Sequence, residues 1–212
     1  PLSHRNKPLS RSVIKKYLDK FDIPIDKPLI VQISRFDKWK DPEGVIEVFK
    51  LVKHEVDCCL ILCGNMASDD PEGFQIYGKL LQKTKNNGND IIIINEDNQI
   101  LVNVLQSVAS VVLQRSIREG FGLTVTEALW KGRAVVASNV GGIPLQVIDG
   151  KTGFLIEPDD IEGCAKKIIK LLREPDLARE LGENGREHVK KNFLITNSIL
   201  KYLDLIYEVI YS

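Results

Sequence analysis

Six short apolar runs, each parted from the next by a helical pattern, constrain this chain more than any other feature. They are Leu29–Ile33, Cys58–Cys63, Ile91–Ile94, Ser110–Leu113, Ala134–Ala137 and Gly153–Ile156. Near-continuous Val/Ile/Leu runs without polar alternation are strands buried on both faces, which is the habit of a parallel sheet. The stretches between them read as helices. Asp41-Pro42 opens the first of these, with Asp as N-cap and Pro at the first helical position. Val45, Ile46, Val48, Phe49 and Val52 follow at helical spacing. Residues 74–84, 100–108 and 125–130 repeat the pattern, and a helix near Ser10–Phe21 precedes the first strand. From Ile161 the chain turns wholly helical, through Leu172, then Leu177–Val189 and Ile195–Ile210. The expectation is an α/β fold, a parallel sheet of about six strands with helices on both faces and a C-terminal helical extension. A length of 212 residues carries one such core. Sheets of this kind bind ligands at the carboxyl ends of their strands, near a topological switch point. The loops to watch are therefore Ser34–Lys40, Gly64–Glu72 and Gln114–Gly122.

Charge excludes several partners. Lys+Arg and Asp+Glu both number 29, so a balanced chain exerts no long-range pull on nucleic acid or an anionic membrane. No run approaches the roughly 18 apolar residues of a membrane span. Residues 1–12 lack the apolar stretch of a secretory signal. A chain that opens on Pro1-Leu2-Ser3 is expected to be a piece of a longer protein. Cys58, Cys59 and Cys63 lie within an apolar strand, as buried free thiols do, and a cytoplasmic setting follows as the expectation. His4, His54 and His188 are far apart, no CxxC pair exists, and no metal site is expected.

Two loops gather chemistry. After the first strand, Ser34-Arg35-Phe36-Asp37-Lys38-Trp39-Lys40 sets an Arg fork and a Lys point charge at the sheet edge, a pair suited to a diphosphate. A solvated charged loop is the plainer reading. After the fourth strand comes Arg115-Ser116-Ile117-Arg118-Glu119-Gly120-Phe121-Gly122-Leu123-Thr124-Val125-Thr126-Glu127. Its two glycines permit close backbone approach, and the helix that follows offers free N–H groups to an anion. Glu119 and Glu127, eight positions apart, suit sugar and ribose hydroxyls on either side of it. Plainer readings exist here too. Thr124-x-x-Glu127 fits a capping box, and Glu119 fits a surface carboxylate paired with Arg118 or Arg115.

Glu119-x7-Glu127, set in Arg118-Glu119-Gly120-Phe121-Gly122-Leu123-Thr124-Val125-Thr126-Glu127-Ala128, resembles the signature of family-4 retaining glycosyltransferases. Arg35 and Lys40 match that family's basic pair. Val140-Gly141-Gly142-Ile143-Pro144 and Asp149-Gly150-x-Thr152-Gly153-Phe154-Leu155 match two downstream turns. The resemblance implies one Rossmann-like half of a two-domain GT-B fold, with the donor nucleotide on this half. It implies that Arg35 and Lys40 hold the donor diphosphate and act in catalysis with Glu119, which contacts the transferred sugar. By the same resemblance, Gly120, Phe121, Gly122, Leu123 and Thr124 line sugar and phosphates, Glu127 takes the ribose hydroxyls, and transfer is metal-independent. Asn95–Asn98 falls where the family places the base. The division expected is 1–25 as linker and leading helix, 26–191 as the nucleotide-sugar-binding domain, and 192–212 as a helix packing toward an N-terminal acceptor domain. Two positions depart from the family: Ser34 stands where Gly is usual, and Leu145-Gln146 where Glu is usual.

Met66–Gly73, Trp130-Lys131-Gly132 and Gln146 together resemble the trehalose glycosyltransferring synthases, which join a nucleotide-activated glucose to glucose. Retaining trehalose phosphorylases, using glucose 1-phosphate and phosphate, share much of the pattern and are the first alternative. A non-catalytic nucleotide-sugar-binding module is the second. A dehydrogenase would need Gly-x-Gly-x-x-Gly after the first strand, and a P-loop would need Gly-x4-Gly-Lys-Ser/Thr. Neither is present, nor is Gly-x-Ser-x-Gly.

Overall fold

The structure, a computed structural model, describes residues 3–65, 71–85 and 90–211. Six parallel strands form one sheet: β1 (Leu29–Ile33), β2 (Cys59–Gly64), β3 (Ile91–Asn95), β4 (Val111–Gln114), β5 (Ala134–Ser138) and β6 (Phe154–Ile156). Their order across the sheet is β3-β2-β1-β4-β5-β6, so the chain reverses its direction of progress between β1 and β4. Each strand lies within a residue of the apolar run that predicts it. Part of the Gly64–Glu72 loop, and of the Met66–Gly73 pattern, lies outside the described residues.

Two cores flank the sheet. Odd and even positions of each strand face opposite sides, so Ile30 and Leu60 enter one core while Val31 and Ile61 enter the other. The first core is closed by α2 (Pro42–Glu55), α3 (Pro71–Thr84) and α7 (Ile161–Arg173). The second is closed by α1 (Arg11–Lys20), α4 (Gln99–Val108), α5 (Leu123–Trp130) and the short α6 (Ile143–Gln146). α8 (Pro175–Asn192) touches both, through Leu181 and Val189. α2 begins as its sequence dictates: Asp41 accepts from Gly44 N–H, and Pro42 follows. α9 (Ile195–Tyr211) is different, because none of its residues is buried. Among the described residues no helix is long and apolar enough to cross a membrane.

All four cysteines are buried, and none forms a disulfide. Burial pushes the Cys58 and Cys59 thiols up to about 11, and those of Cys63 and Cys164 up to about 12. A thiolate is the reactive species, so these thiols are inert while the fold is intact. A disulfide reagent at pH 8 is expected to modify none of the four within minutes in the native chain, and all four in denaturant. Rapid reaction of even one native thiol would contradict the buried placement.

Candidate active site

The switch point between β1 and β4 brings together the loops that follow these two strands. Gln32 on β1 is buried and spans both: its side-chain amide N–H donates to the Lys40 carbonyl (2.8 Å), and its amide oxygen accepts from Arg115 N–H (2.9 Å). Asp37, also buried, accepts from the N–H groups of Trp39 (2.9 Å) and Lys40 (3.1 Å). That cap closes Lys38–Lys40 into a single 3-10 turn, too short for any periodicity to reveal. The turn aims Lys40 across the switch point. Its Nζ meets Glu119 Oε2 at 2.6 Å, with both side chains about 15% exposed (15% and 14%). Arg35 stands at the rim, its side chain 64% exposed, 3.1 Å from Asp37 Oδ2.

Glu119 thus pairs with Lys40, not with Arg118 or Arg115 as the plainer reading of the sequence has it. The two arginines are spoken for: Arg118 stacks 4.3 Å over the Trp39 ring, and Arg115 is buried against Asp41 and the Pro158 carbonyl (2.5 Å). Arg115 is a structural tie between the α2 cap and the loop before α7. Its residue type alone gives no hint of that.

The capping-box reading of Thr124 and Glu127 is also corrected. The N-cap of α5 is Gly122, in the left-handed region at φ +80°, with no side chain capping it. A residue with a Cβ resists that conformation, so the helix starts two residues earlier than Thr124 would start it. Thr124 sits inside the first turn, and its hydroxyl donates to Gln114 Oε1 (2.7 Å). Glu127 is then free of the cap and accepts from Gln106 Nε2 (3.4 Å). Burial raises the Glu127 pKa, opposed by Arg5, Lys131 and the Gln106 hydrogen bond.

The loop after β4 rests on a second glycine turn. Gly141 lies at φ +55°, and a Cβ there would overlap the Glu119 carbonyl. Gly142 N–H donates to the Gly120 carbonyl at 2.8 Å. Buried Gln146, one of the two family departures, donates to the Phe121 carbonyl and accepts from the Thr126 hydroxyl (2.9 Å). Behind Gly64, a Cβ would overlap the Ser34 carbonyl, so the loops after β1 and β2 are pressed together at the same edge.

Two cavities of about 400 and 390 Å³ open here, and Arg35, Lys40 and Glu119 line both. The first runs on past Phe121, Gly122, Leu123 and Thr124, and the second runs past Trp39 and Arg118. The Lys40–Glu119 pair is therefore a shared wall. The structure brings together Arg35, Lys40, Glu119, Gly120, Phe121, Gly122, Leu123 and Thr124. Glu127 lies one turn further down α5, outside both linings. Asn98 caps α4 by accepting from Ile100 and Leu101 N–H (both 3.0 Å), and Glu96 pairs with Lys20 (3.0 Å). A roomier cavity of about 560 Å³ lies at the amino ends of β4 and β5, away from these loops. Among the described residues no cluster of three or more His, Cys, Asp or Glu could hold a metal ion.

The uncapped N-terminus of α5, two adjacent cations and a glycine-lined wall have the chemistry that suits a diphosphate. The Glu119 carboxylate, paired with Lys40, suits a hydroxylated group beside it. Comparison with known proteins gives the family. Trehalose synthase of Thermococcus litoralis is 45% identical over 209 residues, 97% of this chain and 50% of that protein. Trehalose phosphorylase of Grifola frondosa is 38% identical over 174 residues, 76% of this chain and 24% of that protein. The solved sucrose-phosphate synthase of Thermosynechococcus elongatus superposes with a TM-score of 0.79 at 28% identity, covering 97% of this chain and 50% of that one. The chain thus spans about half the length of the trehalose synthase it matches. Residues 13–188 match the family model described as glycosyl transferases group 1, and the chain belongs to that family.

Proposed function

We propose that this chain is the donor-binding half of a retaining glycosyltransferase that moves glucose from a nucleoside-diphosphate-glucose to a sugar acceptor, glucose itself, to give trehalose. The observation that carries the reading is the Lys40–Glu119 pair between two cavities, flanked by Arg35 and the open end of α5. The 45% identity to a trehalose synthase supports the acceptor. As the sugar leaves, negative charge grows on the diphosphate. Arg35, Lys40 and the first N–H groups of α5 stabilise that charge without reorganising, which lowers the barrier. Glu119, released from Lys40 when the diphosphate enters, accepts hydrogen bonds from sugar hydroxyls. Glu127 receives the ribose diol, and the transfer needs no metal.

In this reading residues 26–191 are the nucleotide-sugar unit, 1–25 a linker and leading helix, and 192–212 a helix that packs toward an N-terminal acceptor domain. The exposed apolar residues of α9, such as Leu203, Ile206 and Ile210, support that role. Buried thiols outside any disulfide support a cytoplasmic setting.

Titration calorimetry of the chain with UDP, ADP, GDP and inorganic phosphate tests the proposal. One nucleotide is expected to bind with a dissociation constant of roughly 10 µM to 1 mM, from three to five charge-assisted hydrogen bonds less the cost of ordering. Arg35→Ala is expected to abolish that binding. Binding of phosphate and of no nucleotide would replace this reading with the trehalose phosphorylase, which the 38% identity to the Grifola protein favours next.

A further inference from the structure

The turn Ser3–Lys7 precedes α1. Three side chains of the domain body, Asn103, Lys131 and Glu127, grip it. Asn103 of α4, buried, donates from Nδ2 to the carbonyls of His4 (2.9 Å) and Lys7 (2.8 Å). Lys131, just past α5, donates from Nζ to Asn6 Oδ1 and to Gln106 Oε1, both at 2.8 Å. Gln106, fully buried, turns its NH2 to Glu127 Oε2 and to the Thr124 carbonyl (3.2 Å). Arg5 reaches the same Glu127 oxygen at 3.9 Å. The turn holds its own shape, with Asn6 and Lys7 N–H donating to the Ser3 carbonyl (2.9 and 3.1 Å).

An apolar contact would fasten the segment as well, so stability does not account for this choice of residues. A connected polar network differs from an apolar one in specifying a single geometry. Its members are costly to bury apart: burial raises Glu127 and lowers Lys131 to about 8, which is the mark of two charges held out of water. The contacts of Arg5, and those of Asn6 through Lys131 and Gln106, converge on one carboxylate, one helical turn from Thr124 at the donor cavity.

We propose that Arg5 and Asn6 are positioning residues: Arg5 directly, and Asn6 through Lys131 and Gln106, hold the Glu127 carboxylate in the orientation that receives the ribose diol. The proposal rests on the donor site described above. Its consequence is that the segment ahead of α1 is read by the nucleoside part of the donor and ignored by the diphosphate part. A tie with a purely structural role would weaken every ligand together, or none.

Calorimetry with three classes of probe separates these cases: UDP and ADP, their 2′,3′-dideoxy counterparts, and inorganic diphosphate. The unaltered chain is expected to prefer the bound ribonucleotide over its dideoxy form by roughly tenfold or more, the worth of hydrogen bonds to a charged group. Arg5→Ala and Asn6→Ala should each shrink that preference to about threefold or less, and leave inorganic diphosphate within about twofold of its original affinity. Arg5→Lys, which keeps the charge, should retain most of the preference. Two variants in different residues, each with a thermal melt, keep a folding failure in one from deciding the matter. The clamp is overturned if both variants keep the full preference, or lose inorganic diphosphate as much as ribonucleotide. An unaltered chain that binds ribo and dideoxy forms alike refutes the role of Glu127 while sparing the diphosphate site. Failure to bind any nucleotide removes the donor reading, and the clamp with it.

Discussion

Lys40→Ala is expected to weaken nucleoside diphosphate binding by about 10- to 100-fold, the loss of one charge-assisted hydrogen bond of about 1.5–3 kcal/mol. In the complete two-domain enzyme the proposed loss of turnover is larger, about 10²–10³-fold, as for removal of one fixed donor to developing charge. Two effects add. The substitution removes a cation from the diphosphate, and it strips Glu119 of its counter-charge, 2.6 Å away in the donor-free chain. A bare carboxylate in a half-buried wall then repels the incoming phosphates. The sign of the second effect is testable by itself. Glu119→Gln added to Lys40→Ala should recover part of the nucleotide affinity while leaving transfer abolished. If the double variant simply sums the two single losses, the pair is not coupled and the shared-wall account fails.

Gly141→Ala should be the most damaging single change at the site. At φ +55° an alanine costs about 1–2 kcal/mol in backbone strain alone. Its Cβ would also overlap the Glu119 carbonyl, a backbone atom that cannot swing aside. The Glu119–Gly120 turn must shift, and the Gly142 N–H to Gly120 carbonyl bond (2.8 Å) goes with it. A stability loss of about 2–4 kcal/mol, roughly 5–15 °C in Tm, is expected, together with a fall in nucleotide affinity beyond about tenfold. Melting by differential scanning fluorimetry and titration of the same sample check both. An unshifted melt with intact binding would show that the turn does not support Glu119.

The strands and most helices were legible because apolar runs buried on two faces carry their own signature. Leu29–Ile33, buried along its whole length, is one of them. The Asp41-Pro42 start of α2 was legible for a different reason: cap chemistry is local and needs no partner from elsewhere. Thr124-x-x-Glu127 shows the limit of the same logic. The pattern satisfies a capping box, but Gly122 takes the cap by adopting a conformation that only its missing Cβ makes cheap, and both side chains are released to other work. The 3-10 turn Lys38–Lys40 and the four-residue α6 were invisible because neither is long enough to show a period. Residues that converge by resemblance, Arg35, Lys40, Glu119 and the segment 120–124, do line one place. Their supports were not legible. Gln32, Gln106, Gln114 and Gln146 act through amides that meet partners 8 to 83 positions away, and no spacing rule announces such a meeting.

One of those amides bears on how such sites can change. Gln32 sits inside β1, yet its side chain terminates two different loops, holding the Lys40 carbonyl with one end and Arg115 N–H with the other. Grafting either loop alone onto a related sheet would strand half of that amide, buried and unbonded, at a cost of about 1–3 kcal/mol. The exchangeable module is therefore neither loop but a cassette of the strand and both loops, inherited or engineered as one piece.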